Sequence, residues 1–216
     1  MIIFDNCEAN LNGEKQLLDR LPAGLTVFDV GCRYDSLFLE YPGEVHYFDP
    51  DPQFIKELRT KHGCRNTKSA FNNFGLSDLN GNMTYYPKFQ SFVDRNESMG
   101  LDVPMSRVSL DLKRADEYIV SNGIGKVDFL KVDTEGYELR VLKGFGDKLS
   151  SVRFIQFEYA GTYRDAGIQL KDVIDYLSKN SFGKFSYISS AGLIPITNYT
   201  DNYRYCNIFC SNLSFK

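Results

Sequence analysis

Three carboxylates stand at the ends of two apolar runs in the second half of the sequence. Asp133 and Glu135 lie in FLKVDTEGYE, and Glu158 lies in IQFEYAG. Crowded carboxyl groups can raise the pKa of one member toward neutrality, which makes a usable base for taking a proton from a hydroxyl group. The same oxygen atoms could bind a divalent cation, an alternative that we do not favour. Asp133, Glu135 and Glu158 are therefore the candidate catalytic residues.

The two histidines are weaker candidates for a base. His46 lies inside the apolar run EVHYF, so we expect it to be packed or partnered in the core. His62 follows a predicted helix that ends at Lys61, where a cation suits the helix dipole, so we expect it on the surface.

Polar and small residues also follow three earlier apolar runs, in VFDVGCRYD, HYFDPDP and NNFGLSD. In an open parallel sheet, ligands bind outside the carboxyl ends of the strands. We therefore predict one ligand-binding edge, to which Asp133 also belongs. Its other residues include Asp29, Gly31, Asp49, Gly75, Leu76 and Ser77.

Each of these motifs also has an interpretation without a ligand. Gly31 could form a simple tight turn, and Asp49 could cap the helix that follows it. The segment from Ser77 to Gly81 could be a turn, and Glu138 could be favoured by a helix N-terminus. The joint placement at successive strand ends is what favours a ligand.

Elements of two kinds must position these residues. Short β-branched or aromatic runs alternate with helix-like stretches, which is typical of an α/β fold with a mostly parallel sheet. Strands are predicted at Leu25 to Val30, Glu44 to Phe48, Lys68 to Phe71, Val127 to Val132, Arg153 to Phe157, Phe185 to Ile188 and Tyr205 to Ser211. Helices are predicted at Glu14 to Leu21, Pro52 to Lys61, Tyr137 to Lys143 and Leu170 to Lys179.

Composition limits the class of protein. The chain has 216 residues, 43% of them hydrophobic, which predicts a single domain over residues 1–216. A formal net charge of -3 offers no general attraction for phosphate backbones, so no nucleic-acid partner is expected. The sequence shows neither a signal peptide nor a membrane span, which predicts a cytoplasmic protein. Five cysteines without a CxxC pair predict reduced thiols that mostly fill the core.

Residues 79–107 interrupt the alternation with a polar, turn-rich insertion. We predict that it lies on the substrate side, and NMTYYP and SRVSL could form two extra antiparallel strands within it. Its aromatic residues, interleaved with Lys88, Arg95 and Arg107, could pack on a sugar ring or could form a hydrophobic cluster that pins the insertion to the sheet. Those aromatic residues are Tyr85, Tyr86, Phe89 and Phe92.

The loop at Gly31 distinguishes between nucleotide-like ligands. A dinucleotide loop has the pattern G-x-G-x-x-G, but Arg33 and Ser36 stand at the second and third glycine positions. S-adenosylmethionine has no phosphate and needs only one close backbone approach. Asp49, after the next strand, is placed to accept hydrogen bonds from both ribose hydroxyls. The loop therefore favours S-adenosylmethionine over NAD.

The series FDVGC, YFDPDPQFIKEL, NFGLSD, VDFLKVDTEGYELRVLKGF and FIQFEY resembles, in order and spacing, the FkbM-type S-adenosylmethionine-dependent methyltransferases. The resemblance implies a class I methyltransferase fold of the Rossmann-like kind. Such a fold has a seven-stranded, mostly parallel sheet with an antiparallel last strand and helices on both faces, here with the insertion between strands 3 and 4. It also implies methyl transfer to a hydroxyl of a small molecule or glycan, most often a sugar.

The resemblance also implies a role for each matching position. Asp29, Gly31 and the backbone of Cys32 and Arg33 would line the methionine end of the cofactor. Asp49, with Pro50 beside it, would take the ribose, and Asp133 would face the reacting centre. The residues around the adenine would be Gly75, Leu76 and Ser77.

The sequence departs from the family's usual loop, D-V-G-A-N-x-G. Arg33 replaces the asparagine, Asp35 replaces the second glycine, and Asp49 stands where the family often has Glu. Arg33 could offset the added carboxylate by pairing with the carboxylate of the cofactor. Two alternative functions stay open at this point: a cofactor-binding protein without turnover, and an NAD-dependent oxidoreductase.

Overall fold

The computed structural model describes residues 4–63, 68–96, 100 and 106–215. The strands are β1 (Thr26–Val30), β2 (Glu44–Phe48), β3 (Ala70–Asn72), β4 (Gly75–Ser77), β5 (Gly81–Tyr85), β6 (Val108–Arg114), β7 (Val127–Val132), β8 (Val152–Tyr159), β9 (Phe182–Ser189), β10 (Gly192–Pro195) and β11 (Cys206–Asn212). The helices are α1 (Ala9–Asn12), α2 (Glu14–Leu18), α3 (Pro52–His62), α4 (Ala115–Ser121), α5 (Glu138–Gly144), α6 (Thr162–Asp165) and α7 (Leu170–Lys179), with a 3-10 helix at Gly146–Ser151.

The main sheet has eight strands in the order β10-β9-β11-β8-β7-β1-β2-β3. Strands β3, β2, β1, β7 and β8 run parallel to one another, whereas β11 runs antiparallel to both β8 and β9. The predicted class I methyltransferase architecture, with its antiparallel last strand, is therefore confirmed. The strand count differs from the predicted seven because β10 folds back on β9 as a hairpin and extends the edge.

Both faces of the sheet are buried, as a mostly parallel sheet requires. Successive residues of β1 point to opposite faces, so Phe28 joins one core cluster and Val27 joins the other. Helix α7 covers the first cluster with the face predicted from its spacing, and α3 covers the second. The buried residues on those faces are Leu170, Val173, Ile174 and Leu177 in α7 and Ile55 and Leu58 in α3.

The insertion contributes to a second, smaller sheet in the order β4-β6-β5. Strands β5 and β6 pair antiparallel, which confirms the two extra strands expected in NMTYYP and SRVSL. The aromatic residues Tyr85, Tyr86, Phe89 and Phe92 are 2 to 8% exposed. Tyr85 and Phe92 belong to the main core cluster, as the alternative of a hydrophobic cluster predicts. Residues 97–99 and 101–105 of the insertion lie outside the described part of the chain.

The predictions for the two histidines have different outcomes. His46 is buried and contacts the Tyr118 hydroxyl at 2.8 Å, as expected for a partnered core residue. The surface position expected for His62 is wrong, because His62 is 1% exposed and packs edge-on against Phe71. The reason is helical spacing: His62 lies seven residues after Ile55, on the face of α3 that turns toward the sheet.

Two further expectations concern cysteines and membranes. Cys32, Cys206 and Cys210 are buried free thiols, as predicted for core filler, whereas Cys7 is exposed and Cys64 lies outside the described residues. Within the described ranges, no helix is both long enough and apolar enough to cross a lipid bilayer.

Candidate active site

A cavity of about 320 Å³ opens at the carboxyl edge of the parallel strands. It brings together residues from β1, β2, β4, β7 and β8, which the sequence separates widely. The predicted site residues that line it are Gly31, Arg33, Asp49, Pro50, Gly75, Leu76, Asp133, Glu135 and Glu158. The three candidate catalytic carboxylates thus share one cavity with most of the predicted cofactor contacts.

Three predicted contacts lie outside the lining of this cavity. Asp29 is 1% exposed, accepts a hydrogen bond of 2.5 Å from Ser36 Oγ, and has its pKa raised to about 6 by burial. The Cys32 thiol is buried, and the Ser77 hydroxyl lies 3.3 Å from the Tyr137 hydroxyl. These residues support the loops behind the cavity wall.

Main-chain contacts hold the loop after β1. The N–H groups of Gly31 and Cys32 donate to the Phe48 carbonyl oxygen, at 2.9 and 3.3 Å. Gly31 has a φ of +79°, and a Cβ atom there would lie 1.8 Å from the carbonyl oxygen of Asp133. Glycine is therefore required by the close approach of two loops as well as by the turn.

Asp49 lies at the end of β2, where it is 3% exposed. One carboxylate oxygen accepts the N–H of Asp51 at 2.9 Å, and the other accepts the N–H of Arg33 at 3.1 Å. Burial raises its pKa to about 7. The helix cap is Asp51, which accepts from Gln53 N at 2.8 Å, so the capping alternative for Asp49 is wrong. Each Asp49 oxygen keeps a lone pair for one more hydrogen bond.

A buried side chain holds the loop after β7. Glu138 Oε1 accepts from the Thr134 N–H at 2.8 Å, from the Thr134 hydroxyl at 3.0 Å and from the Gly136 N–H at 3.4 Å. Glu138 is 0% exposed, and burial raises its pKa to about 7. The structural interpretation of Glu138 is therefore confirmed, and the DTEGYE motif encodes a loop closed on its own glutamate.

Lys131 places the first catalytic candidate, Asp133. The Lys131 ammonium lies 2.8 Å from Asp133 Oδ2 and 3.7 Å from Glu14 Oε1. Burial opposes the charge on Lys131, yet Asp133, Glu14 and Asp29 together raise its pKa well above the usual value. Asp133 is thus held by a buried cation that also lies close to a second acidic side chain, Glu14.

Glu135 and Glu158 differ in their surroundings. The Glu135 side chain is 38% exposed, and its Oε2 lies 4.0 Å from Arg95 Nη1. Burial and then Asp133 raise its pKa above the usual value. Glu158 is 7% exposed, its Oε2 has no hydrogen-bond partner among the described residues, and burial followed by Asp133 raises its pKa well above the usual value.

Several lining residues were missed by the sequence reasoning. Cys7 and Glu14 come from the N-terminal segment and Tyr205 from the residue before β11, while Gln90 and Ser91 come from the insertion. Two other lining residues, Tyr85 and Phe92, were indicated only by the aromatic pattern of the insertion. In residues 4–63, 68–96, 100 and 106–215, no group of three or more His, Cys, Asp or Glu side chains is arranged to hold a metal ion.

Comparisons with known proteins add to this geometry. Residues 30–184 match the methyltransferase FkbM domain. A hexuronic acid methyltransferase, AglP of Haloferax volcanii, is 28% identical over 79% of this chain and 70% of its own length. A 2-O-methyltransferase, NoeI of Sinorhizobium fredii, is 23% identical over 70% of each chain. A TehB-like S-adenosylmethionine-dependent methyltransferase from Corynebacterium glutamicum shares the fold, with a TM-score of 0.51 at 12% identity over 93% of this chain and 88% of that one.

Proposed function

This chain belongs to the FkbM methyltransferase family and is an S-adenosylmethionine-dependent methyltransferase, and we propose that its acceptor atom is a hydroxyl oxygen of a sugar. Membership of this methyltransferase family excludes the alternative of an NAD-dependent oxidoreductase. One relative is named for a sugar acid and the other for methylation at oxygen, and both names support a sugar hydroxyl here. The observation that carries the proposal is the single cavity shared by Asp49, Asp133 and Glu135.

The residues present fit the cofactor. Asp49 offers two buried carboxylate lone pairs toward ribose hydroxyls, and Gly31 leaves room where the loops after β1 and β7 meet. The described lining contains more acidic residues than basic ones, since Arg33 is its one basic residue. This excess of acids suits a ligand with a positive sulfonium. In this proposal the cofactor contacts are Gly31, Arg33, Asp49, Pro50, Gly75 and Leu76. Asp29, Cys32 and Ser77 act through the loops that they support.

The cofactor supplies an activated methyl group, so the chain's own residues must align the acceptor oxygen and remove its proton. Among the three carboxylates, Glu135 is the best proton acceptor, because burial and then Asp133 raise its pKa above the usual value and its side chain reaches solvent. Asp133, held by Lys131, positions the reacting groups. Burial and then Asp133 raise the pKa of Glu158 well above its usual value, which favours its protonated form.

Methyl transfer from labelled S-adenosylmethionine to a panel of neutral, amino and acidic sugars, followed by mass spectrometry, tests this function. We expect methylated sugar from the wild type, and a kcat lower by roughly 100- to 10,000-fold in Glu135→Gln with cofactor affinity unchanged. Asp19→Asn, at an exposed acid outside the cavity, is the matched control. Cofactor binding without transfer to any sugar would contradict the proposed acceptor.

A further inference from the structure

The strand order divides the cavity into two ends. Strands β1 and β2, which carry the proposed cofactor contacts, lie on one side of β7, while β8 and then β11 lie on the other. Neighbouring strands are about 4.8 Å apart, so residues at the ends of β8 and β11 stand well away from Asp49. If the proposed function is correct, the acceptor enters at this second end. Four residues form what we call the acceptor wall: Cys7, Glu14, Glu158 and Tyr205.

The acceptor wall contains an unsatisfied polar atom. Glu158 is 7% exposed and lines the cavity, and its Oε2 has no hydrogen-bond partner among the described residues. A buried oxygen left without a partner costs roughly 1 to 3 kcal/mol, so such a group is usually completed by a ligand or water. A protonated carboxyl both donates and accepts, as a sugar hydroxyl does.

Asp133 and Glu135 line the cavity beside the acceptor wall. Burial, and then Glu135 and Asp133, raise the pKa of the Cys7 thiol. Burial, and then Glu158, Asp133 and Glu14, raise the pKa of the Tyr205 hydroxyl. Two groups on different segments therefore sense one common carboxylate, Asp133.

The cations near the acceptor wall are already engaged. Lys131 contacts Asp133 and Glu14. Arg95 Nε donates to Asp165 at 2.6 Å, and Arg95 Nη1 lies 4.0 Å from Glu135. Arg33 lies at the cofactor end, with its guanidinium over the Tyr34 and Phe54 rings. A carboxylate on the acceptor would therefore meet carboxyl groups, and the basic residues named here, within the described part of the chain, already have partners.

We propose that the acceptor wall selects a hydroxyl-rich sugar without a carboxylate and disfavours a uronic acid, with Glu158 forming a hydrogen bond to a hydroxyl of the acceptor. This inference rests on the proposed function and adds the charge class of its substrate. Glu14, bonded to Gln156 Nε2 at 2.6 Å, fixes a second carboxylate beside the same end. Like charges at such short range are unfavourable even in a partly polar site.

Matched probes test the charge selection. Methyl glucoside, its uronic acid and its 2-amino counterpart, with the corresponding galactose series, are compared as acceptors at fixed ionic strength with saturating S-adenosylmethionine. We expect kcat/KM to be about tenfold or more higher for the neutral sugar than for its uronic acid. A preference for the uronic acid over the neutral sugar overturns the inference while leaving the sugar methyltransferase intact, whereas a preference for the amino sugar over the uronic acid supports it.

Two variants at the exposed Cys7 provide an internal control. Cys7→Lys places a cation on the acceptor wall, and we expect it to raise the ratio of uronic acid to neutral sugar by about tenfold. Cys7→Met has a similar length without charge and should leave that ratio unchanged. Equal ratios in the two variants would show that charge at this wall does not select the acceptor.

Glu158→Leu tests the hydrogen bond itself, and Glu158→Gln, whose amide also donates and accepts, is its matched control. In Glu158→Leu we expect KM for the neutral sugar to rise about tenfold, while calorimetric affinity for S-adenosylhomocysteine stays within about twofold. Glu158→Gln should keep most of the wild-type affinity for the sugar. An unchanged KM in Glu158→Leu removes Glu158 from acceptor recognition. If S-adenosylhomocysteine binds but no sugar of any charge is methylated, the proposed function fails and this inference fails with it.

Discussion

The loops after β1 and β7 meet at the floor of the cavity, where Gly31 lies against the Asp133 carbonyl, yet they are held in different ways. The first is fixed by its own N–H groups, which donate to the Phe48 carbonyl and the Asp49 carboxylate. In the second, the Asp133 N–H donates to the Val30 carbonyl, but the turn at Thr134 and Gly136 is held by one buried side chain, Glu138. A loop held by its main chain can change most of its side chains, whereas a loop held by a side chain cannot.

This difference accounts for where the sequence departs from the family pattern. Arg33 and Asp35 stand in the first loop, in place of asparagine and glycine. The Arg33 N–H still donates to Asp49, and Arg33 adopts a φ of 51° that asparagine or glycine would reach at lower cost. The altered residues therefore keep the hydrogen bonds that shape the loop.

The largest effect is expected where the two loops touch. Gly31→Ala would place a Cβ 1.8 Å from Asp133 O, so we expect a loss of roughly 3 kcal/mol or more in the free energy of unfolding and a loss of cofactor binding. Gly24→Ala is a matched control, with a φ of +82° but nothing within 4 Å, and should cost only about 1 to 2 kcal/mol. Urea unfolding measures both, and equal losses would contradict the contact between loops.

The second loop should depend on its buried glutamate. Glu138→Ala leaves the N–H groups of Thr134 and Gly136 without their acceptor, and we expect a loss of about 2 to 4 kcal/mol in unfolding free energy. Glu138→Gln keeps one acceptor oxygen and should lose less. Glu135→Gln, at a partly exposed side chain of the same loop, should unfold like the wild type. A small effect of Glu138→Ala would mean that the main chain holds this loop too.

Asp49 connects the first loop to the cofactor and should make cofactor affinity depend on pH. With a pKa raised to about 7, the carboxylate becomes fully ionised only above neutral pH, and the ionised form is the better acceptor of two ribose hydroxyls. Cofactor affinity should therefore rise by up to about tenfold from pH 6 to pH 8. Calorimetry with Asp49→Asn should give weaker binding without that rise. If the variant shows the same pH dependence as the wild type, a group other than Asp49 causes it.

The smallest effect is expected at Arg33. Arg33→Ala preserves the N–H donor to Asp49, so the loop should fold normally, and affinity for S-adenosylmethionine should fall by roughly three- to tenfold through loss of a cation near the cofactor carboxylate. Arg33→Lys should recover part of the loss. Unchanged affinity in Arg33→Ala would refute the idea that Arg33 compensates for Asp35.

Much of the fold was predictable because its signals are local. The apolar runs at β2 and β7 and the helical spacing of α7 gave bounds that match those observed. The errors lie where a long-range contact decides the outcome. His62 was expected at the surface because nothing in its neighbourhood shows that this face of α3 packs on Phe71.

The candidate site was predictable only on the side of the parallel strands. Asp49, Asp133 and Glu158 end strands whose apolar pattern is visible, so their meeting at one edge follows from the sheet rule. Glu14 and Tyr205 carry no such signal. Glu14 enters the cavity because it bonds Gln156 of β8 and approaches Lys131 of β7, both far away in the sequence.

The sequence by itself determined most strands of the main sheet, the cofactor class and the candidate carboxylates, because apolar periodicity and motif spacing act over short lengths of chain. It did not predict β4 or β10. The tertiary structure alone decided that Gly31 and the Asp133 carbonyl are in contact and that the N-terminal segment completes the acceptor wall. It also decided which carboxylates are buried, and therefore how their pKa values differ, because desolvation depends on the neighbours that the whole fold brings together.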